Sequence, residues 1–492
     1  MPTDKARHPA LTRTLYEEFC NRIADGTFAA GAALPSTRAL AAERGLSRTT
    51  VTLVYEQLAA EGFIETRTGA PSRVAHGAAD PAPHGSGAGR KPKGLAGSLS
   101  TIGERMAALT VPPARPVGVN DIDFVYGPLA GSDFPTLAWM KALRGAERQR
   151  PGRLEYDDPR GSLRLRKALQ AHLSKTRGLV CSVEQLMVVN GSQQALDLCA
   201  RLLVEPGARV VVENPGYRMA HHAFEAYGAR LQPVDVDEHG LMTGQLAALG
   251  PAQLAYVTPT HQFPLGGFMP IARRRQLLEW AAASRAWVIE DDYDSEYRYA
   301  VRPEATLLSL DSLGCVIHVG TFSKTLSPQL RLGYMVLPPT LVDAFTAAKR
   351  VTDRHAANGA QQALATLLED GTYDRHVRRI RRLQHARQRT LTEALERRFG
   401  EEVTVQGTAS GLHVVAWLPS LSQQAEPAVV EAARRRGVCV HPIGPLYVPR
   451  GKGTGVQRPC GLVMGYALLD AAQIAKGVVA LSKAVQEVRT QS

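Results

Sequence analysis

Thr321-Phe322-Ser323-Lys324-Thr325-Leu326-Ser327-Pro328-Gln329-Leu330-Arg331-Leu332-Gly333-Tyr334 is the stretch on which the reading of the fold turns. A lysine framed by the hydroxyls of Thr321 and Ser323 and followed by Arg331 suits a phosphorylated aldehyde: the amine meets the carbonyl, and the guanidinium and hydroxyls meet the phosphate. The stretch lies between apolar runs at 315–320 and 332–337. Further Val- and Ile-rich runs at 186–190, 209–213, 230–236, 254–259 and 286–292 alternate with helical patterns. Short two-sided apolar strands separated by amphipathic helices predict a large, mostly parallel seven-stranded sheet. Beyond Pro339 the pattern is helical to about 398. Strand candidates at 413–419, 438–443 and 462–467 then predict a smaller α+β lobe.

If the lysine holds an aldehyde, other strand ends must supply the rest of the site. Asp291 closes the run at 286–292, where the carboxyl ends of α/β strands open into a ligand crevice, and its carboxylate can pair with a protonated ring nitrogen. Tyr293 can hydrogen-bond a ring hydroxyl. Asn190-Gly191-Ser192-Gln193-Gln194 joins a strand to a helix, so its N–H groups and Ser192 suit phosphate. Tyr217 follows another strand and can cover a ring face. Each residue type alone is commonplace; their shared position at strand ends is not.

The 492 residues exceed one ordinary domain and suggest two or three. The net charge of +12 and pI near 9.5 favour a polyanionic partner. Residues 1–75 carry nine Lys/Arg against eight Asp/Glu, so nucleic-acid binding there rests on placement rather than bulk charge. The six cysteines show no metal-ligand spacing, and no metal site is expected. With no signal-peptide core and no membrane-length run, a soluble cytoplasmic protein with no membrane partner is expected. Residues 78–118, crowded with Gly, Pro, Ala and Ser, read as a flexible linker with a short helix near 102–109. The chain thus divides into a head at 1–77, the linker, and an effector and dimerisation domain at 119–492.

In the head, Leu15, Phe19 and Ile23 recur every fourth residue on a first helix. Ser36 caps a second helix ended by Gly45, and Ser47 caps a third. Two short helices joined by a glycine-containing turn make a helix-turn-helix, whose second helix sets its N-terminal side chains in the major groove. The pattern L-P-S-T-R-A-L-A-x4-L-S-R-T-T-V-x3-Y-E-Q-L-x2-E-G-F-I, residues 34–64, closely resembles the winged-helix head of GntR-superfamily regulators. The resemblance implies DNA contacts from Ser36, Arg38, Ser47, Arg48 and Thr49, with Arg67 in the wing. Ala70-Pro71-Ser72-Arg73 departs from the usual wing tip.

Residues from about 121 to 485 resemble fold-type I aminotransferases, specifically the effector domain of MocR-type regulators. The resemblance rests on Tyr156-Asp157-Asp158-Pro159-Arg160-Gly161, on the Asn190 and Lys324 segments, and on Thr258-Pro259-Thr260-His261-Gln262-Phe263-Pro264 and Glu290-Asp291-Asp292-Tyr293-Asp294-Ser295-Glu296. It implies pyridoxal 5'-phosphate as cofactor, Lys324 as the lysine that condenses with it, Asp291 as the ring-nitrogen partner and Arg331 as a phosphate ligand. Homodimers are implied as well, with Tyr156 reaching the neighbour's phosphate.

Two positions depart from the enzymes. Phe263 stands where catalytic aminotransferases carry an asparagine, and Val463 stands where the family often carries a carboxylate-binding arginine; Arg458 is a substitute to be checked. The arginines between Arg375 and Arg389 read as a solvated helix, with a second DNA surface as the sharper alternative. The expected protein is a dimeric, pyridoxal-phosphate-dependent regulator that binds a double-stranded operator and responds to a small amine or to the cofactor itself. The rival is a working aminotransferase carrying a DNA-binding head.

Overall fold

The computed structural model describes residues 7–67, 69–78, 98–109, 118, 121–149, 153, 155–300, 305–449 and 458–491. Much of the expected linker, 79–97 and 110–117, lies outside them, as does 119, the expected start of the effector domain. The chain forms two compact units, Met1–Ser98 and Leu99–Ser492.

The head contains α1 (Arg7–Ala24), α2 (Thr37–Arg44), α3 (Arg48–Ala60) and the antiparallel pair β1 (Ile64–Glu65) and β2 (Arg73–Val74). The four-residue spacing of Leu15, Phe19 and Ile23 puts all three in one core, with Leu40, Val51, Val54, Leu58, Ile64 and Val74. Each such side chain contributes roughly 1.5–3 kcal/mol when fully buried. Gly45 takes the left-handed conformation that ends α2. The Tyr55 hydroxyl donates to Pro35 O at 2.8 Å and ties α3 to the segment before α2.

In the larger unit the strands run β3 (Ile122–Asp123), β4 (Leu186–Val189), β5 (Arg209–Asn214), β6 (Arg230–Asp237), β7 (Gly240–Leu241), β8 (Leu254–Val257), β9 (Trp287–Asp292), β10 (Val316–Thr321) and β11 (Gly333–Val336). The main sheet has eight strands, in the order β4-β11-β10-β9-β8-β5-β6-β7, rather than the expected seven. The seven apolar runs all form strands. The eighth, β7, has two residues, too few to show a period, and folds back antiparallel on β6. The core pairs β6·β5, β5·β8, β8·β9 and β9·β10 are parallel, while β11 lies antiparallel between β10 and β4. The carboxyl ends of β4, β5, β8, β9 and β10 therefore share one edge with the amino end of β11, and this brings Arg331 back beside Lys324. Gly320 is needed there: a Cβ would lie 2.2 Å from Tyr334 Cζ on the paired strand.

The smaller lobe is built on β12 (Thr404–Gln406), β13 (His413–Ser422), β14 (Val438–Cys439), β15 (His441–Pro442) and β16 (Pro459–Gly465), with a four-stranded sheet ordered β12-β13-β16-β15. The run at 438–443 divides: β14 pairs with β3 and β15 pairs with β16. Within the expected linker, Thr101–Ala108 is helical, and Arg105 Nε donates to Ala226 O at 3.0 Å. That part of the linker is docked rather than free coil. Among the described residues no helix is long and apolar enough to cross a membrane.

The arginine-rich segment lies on one helix, Thr372–Phe399. Arg387 binds Asp133 at 2.6 Å and Ala467 O at 2.9 Å, Arg379 bonds Asp133 O, and Arg389 pairs with Glu393. Arg375, Arg378 and Arg382 are exposed. The helix is thus solvated on one side and bonded to the domain on the other.

Candidate functional site

At the shared strand edge lies a cavity of about 320 Å³ lined by Lys324, Asp291, Tyr293, Ser192, Gln193, Tyr217, Thr321, Ser323 and Arg331, all expected from the sequence. Four sequence-distant stretches, 192–193, 217, 291–293 and 321–331, converge because each lies at the edge formed by the carboxyl ends of the parallel strands.

Lys324 follows β10 by three residues, and its Nζ lies 3.1 Å from Gly127 O. Burial pushes its pKa below 10.5 against the opposing pull of Asp294 and Asp291. More of the amine is then neutral and nucleophilic. Its turn is clamped: Tyr297 donates to Lys324 O at 2.6 Å, Tyr373 to Thr325 Oγ1 at 2.9 Å, and His376 Nε2 to Thr325 O at 2.7 Å.

Successive strand residues face opposite sides, which separates the roles of Asp291 and Asp292. Asp292 turns away and pairs with Arg177 at 2.9 Å. Asp291 faces the cavity, and Tyr256, in register with Ile289 on the neighbouring strand, faces the same way and donates to Asp291 Oδ2 at 2.7 Å. Asp291 Oδ1 is buried with no hydrogen-bond partner among the described residues. Burial raises the Asp291 carboxyl from 3.8 to about 6. A buried acceptor with one free oxygen fits a protonated ring nitrogen.

The phosphate side is held by a network behind it. Gly191, at φ 79°, precedes the helix Ser192–Leu203, whose first N–H groups have no intrahelical acceptor. Asn190 Nδ2 and Gln194 Nε2 donate to Asp353 at 2.6 and 2.7 Å, and Lys349 pairs with the same carboxylate at 2.7 Å. Arg331 Nη2 donates to Asn190 O at 2.9 Å, and a Cβ on Gly191 would lie 2.5 Å from that nitrogen. Thr321 Oγ1 and Ser323 Oγ are 3.0 Å apart. A guanidinium, hydroxyls and a helix N-terminus converging at one end suit a phosphate monoester. Together with the free Asp291 oxygen and the Lys324 amine in the same cavity, the residues fit a phosphorylated pyridine aldehyde.

Aromatic side chains form the walls. Phe263 packs edge-on against Tyr217 at 5.8 Å and His413 at 5.4 Å, and lies 5.5 Å from Tyr126. Tyr293 lines the cavity, its hydroxyl 2.9 Å from His261 Nδ1, and that nitrogen is 2.8 Å from Asp294. Val463 is fully buried with Phe263, Val415 and Ile443. Arg458 does not line the cavity; its guanidinium lies over Tyr447 at 4.0 Å. Arg458 thus does not stand in for the arginine absent at Val463, and Lys324 and Arg331 are the Lys/Arg side chains lining the cavity among the described residues.

Sequence reasoning missed Tyr126, Gly127, Tyr256, Thr258, Asp294, Leu412 and His413, which also line the cavity. Of these, Thr258 and Asp294 fall within stretches already singled out in the sequence, and Tyr256 lies on the strand beside that of Asp291, in register with Ile289. Tyr156 is not brought to the cavity: it is 74% exposed, with the Arg354 guanidinium 4.6 Å over its ring.

In the head, the Ser36 hydroxyl caps α2 by accepting from Ala39 N at 3.2 Å, and Ser47 caps α3 by accepting from Thr50 N at 3.1 Å. Arg38, Arg48, Thr49 and Arg67 are exposed. Arg48 and Thr49 open α3, while Arg73, which could compete with Arg67 as a wing cation, is held by Gly31 O at 2.7 Å. No ion pair among the described residues engages Arg38, Arg48 or Arg67.

Two families match the chain: bacterial regulatory proteins of the gntR family over 11–74, and aminotransferase class I and II over 125–460. A probable rhizopine catabolism regulatory protein MocR of Rhizobium meliloti is 35% identical over 98% of this chain and 95% of its own length. The pyridoxine biosynthesis transcriptional regulator PdxR of Corynebacterium glutamicum is 31% identical over 94% and 93%. Among solved structures, Pyrococcus horikoshii kynurenine aminotransferase in complex with PMP is 29% identical with TM-score 0.68, covering 75% of this chain and 91% of that one. A multiple substrate aminotransferase from Thermococcus profundus is 26% identical with TM-score 0.72, covering 80% and 98%. The larger unit is thus a fold-type I aminotransferase-like domain, and the cofactor of such a domain is pyridoxal phosphate. The chain belongs to the MocR-type subfamily of GntR-family transcriptional regulators, DNA-binding proteins whose winged-helix head is fused to an aminotransferase-like domain.

Proposed function

We propose that the cavity holds pyridoxal phosphate and that what occupies it, a small amine or the cofactor alone, sets how the head engages its operator. The observation that carries this reading is the convergence of Lys324, the free oxygen of Asp291 and the Ser192–Arg331 cradle in one cavity. When bound, the cofactor supplies an aldehyde that condenses with primary amines. Lys324 offers the resident amine, Asp291 accepts the ring-nitrogen proton, and Ser192, Thr321, Ser323 and Arg331 hold the phosphate. Gln193 anchors the cradle through Met219 O at 3.2 Å. Tyr217 bounds the ring, and Tyr293 addresses its oxygen.

An effector amine competes with Lys324 for the same group. Switching needs only that the competitor favour one arrangement of the protein over another, without turnover. Phe263 and Val463 support a sensing role, since neither supplies the polar contact that the enzymes use. The protein acts as a homodimer in this reading, with exposed Tyr156 completing the partner's phosphate site. The head reads double-stranded DNA through Ser36, Arg38, Ser47, Arg48 and Thr49, with Arg67 at the wing.

The test is absorption spectroscopy of the cofactor-loaded protein with a panel of amines, alongside assay of keto products. A saturable spectral change without sustained product is expected. Continuous turnover with an amino donor would establish the enzyme reading instead.

A further inference from the structure

We propose that His261 and Asp294 form a positioning pair that commits the Tyr293 hydroxyl to donate its hydrogen bond into the cavity, to the ring oxygen of the bound cofactor. The inference rests on the cofactor reading above and adds two residues that do not themselves bind the ring.

One ring nitrogen has two partners. His261 Nδ1 is 2.8 Å from Asp294 Oδ2, 3.1 Å from Oδ1 and 2.9 Å from the Tyr293 hydroxyl. A carboxylate only accepts, so the Asp294 contact requires the proton on Nδ1. His261 Nε2 points the same way: it is buried with no partner among the described residues. There a lone pair costs less than an orphaned N–H. With Nδ1 protonated, Tyr293 cannot donate to it and can only accept. The phenol's own proton is then free for the cavity that Tyr293 lines.

The surroundings hold this arrangement. His261 and Asp294 are both 2% exposed, so water does not compete. Burial, then Asp294, Asp291, Glu213 and Asp292, push the Tyr293 phenol well above 10, and it keeps its proton. His413, 5.6 Å from His261, is pushed down to about 3 by burial first, then by His261 and Lys324, and its Nε2 faces Pro264 O at 3.0 Å. Tyr256 is already engaged by Asp291. Phe263 offers no donor, so an oriented Tyr293 supplies the polar contact on that side of the ring.

A donor to the ring oxygen stabilises its anion and lowers the pH at which the lysine-linked nitrogen loses its proton. The experiment is a pH titration of the visible chromophore in cofactor-loaded full-length protein. Tyr293→Phe should raise the midpoint by roughly one pH unit, the loss of one charge-assisted hydrogen bond. His261→Phe should shift it in the same direction. The Tyr293→Phe/His261→Phe double variant should go no further than Tyr293→Phe alone. His261→Asn, which keeps an N–H near the Nδ1 position, should restore the wild-type midpoint. If phenylalanine at 261 does not fold, His261→Gln, whose amide extends past that position, replaces it with the same expectation. An equal His261 shift with and without the Tyr293 hydroxyl overturns the pair, as does a midpoint that moves in Tyr293→Phe but not at 261. A wild type with no chromophore overturns the cofactor reading itself.

Discussion

Replacing Asp291 by Asn should strengthen the cofactor-free protein and weaken cofactor binding. In the structure the Asp291 carboxyl is raised from 3.8 to about 6, chiefly by burial. An acid whose folded pKa lies above its unfolded one carries more protons folded than unfolded between those values. Folding stability is therefore lost as pH rises through the window from about 4 to 6. That rise corresponds to about 3 kcal/mol of destabilisation at pH 7.5 but only about 0.5 kcal/mol at pH 4. Asparagine does not titrate, and its carbonyl still accepts from the Tyr256 hydroxyl. The assay is urea unfolding without cofactor at both pH values, followed by tryptophan fluorescence. All four tryptophans, Trp139, Trp280, Trp287 and Trp417, lie in the larger unit, so the signal reports on it alone. The variant should exceed wild type by about 3 kcal/mol at pH 7.5, with the gap closing toward pH 4. Saturating pyridoxal phosphate should reverse the order, because ligand binding adds stability in proportion to affinity. A variant no more stable than wild type at pH 7.5, or equal stabilisation of both proteins by cofactor, would refute the reasoning.

Arg48→Ala should lower specific operator affinity roughly 5- to 150-fold, about 1–3 kcal/mol for a lost base-edge contact, while leaving the cofactor absorbance intact; gel-shift titration and a spectrum of one preparation check both. Gly191→Ala places a Cβ 2.5 Å from Arg331 Nη2 at φ 79°. With a backbone penalty of about 1–3 kcal/mol at φ 79° and ψ 164°, a region almost reserved for glycine, and a displaced guanidinium, cofactor affinity should fall at least tenfold by fluorescence titration, with operator affinity of the cofactor-free protein unchanged.

Six of the seven long strands were legible because both faces of the main sheet are buried there, which makes each a largely apolar run; β6, near the sheet edge with only Val234 buried, showed as alternating apolar and polar residues instead. β7 and the division of 438–443 into β14 and β15 were not legible, since two-residue strands carry no period. That Lys324, Asp291, Ser192 and Arg331 meet at one cavity was legible because Lys324 and Ser192 follow strands, Asp291 ends one and Arg331 precedes one, each in a recognisable local pattern. The contacts of His261 with Asp294 and Tyr293 were not, because they join side chains of separate segments, 258–264 and 290–296, that only the fold brings together. Gln194 and Asn190 looked like phosphate-loop residues, whereas both side chains turn to Asp353 and brace the loop. The eight-residue helix Thr101–Ala108 matches the short helix expected near 102–109 inside a composition that otherwise reads as coil, and Ser100 caps it by accepting from Gly103 N at 3.1 Å.

The most direct test of a cofactor-gated regulator is operator affinity measured by footprinting of the protein's own upstream region. Wild type and Lys324→Ala would be compared with and without pyridoxal phosphate, and then with amines that change the wild-type spectrum. A cofactor-gated regulator should change its affinity by at least fivefold with cofactor or amine, the low end of ordinary coupling energies, while Lys324→Ala stays unmoved. Identical affinities in every state of the wild-type protein, or an equal shift in Lys324→Ala, would contradict it.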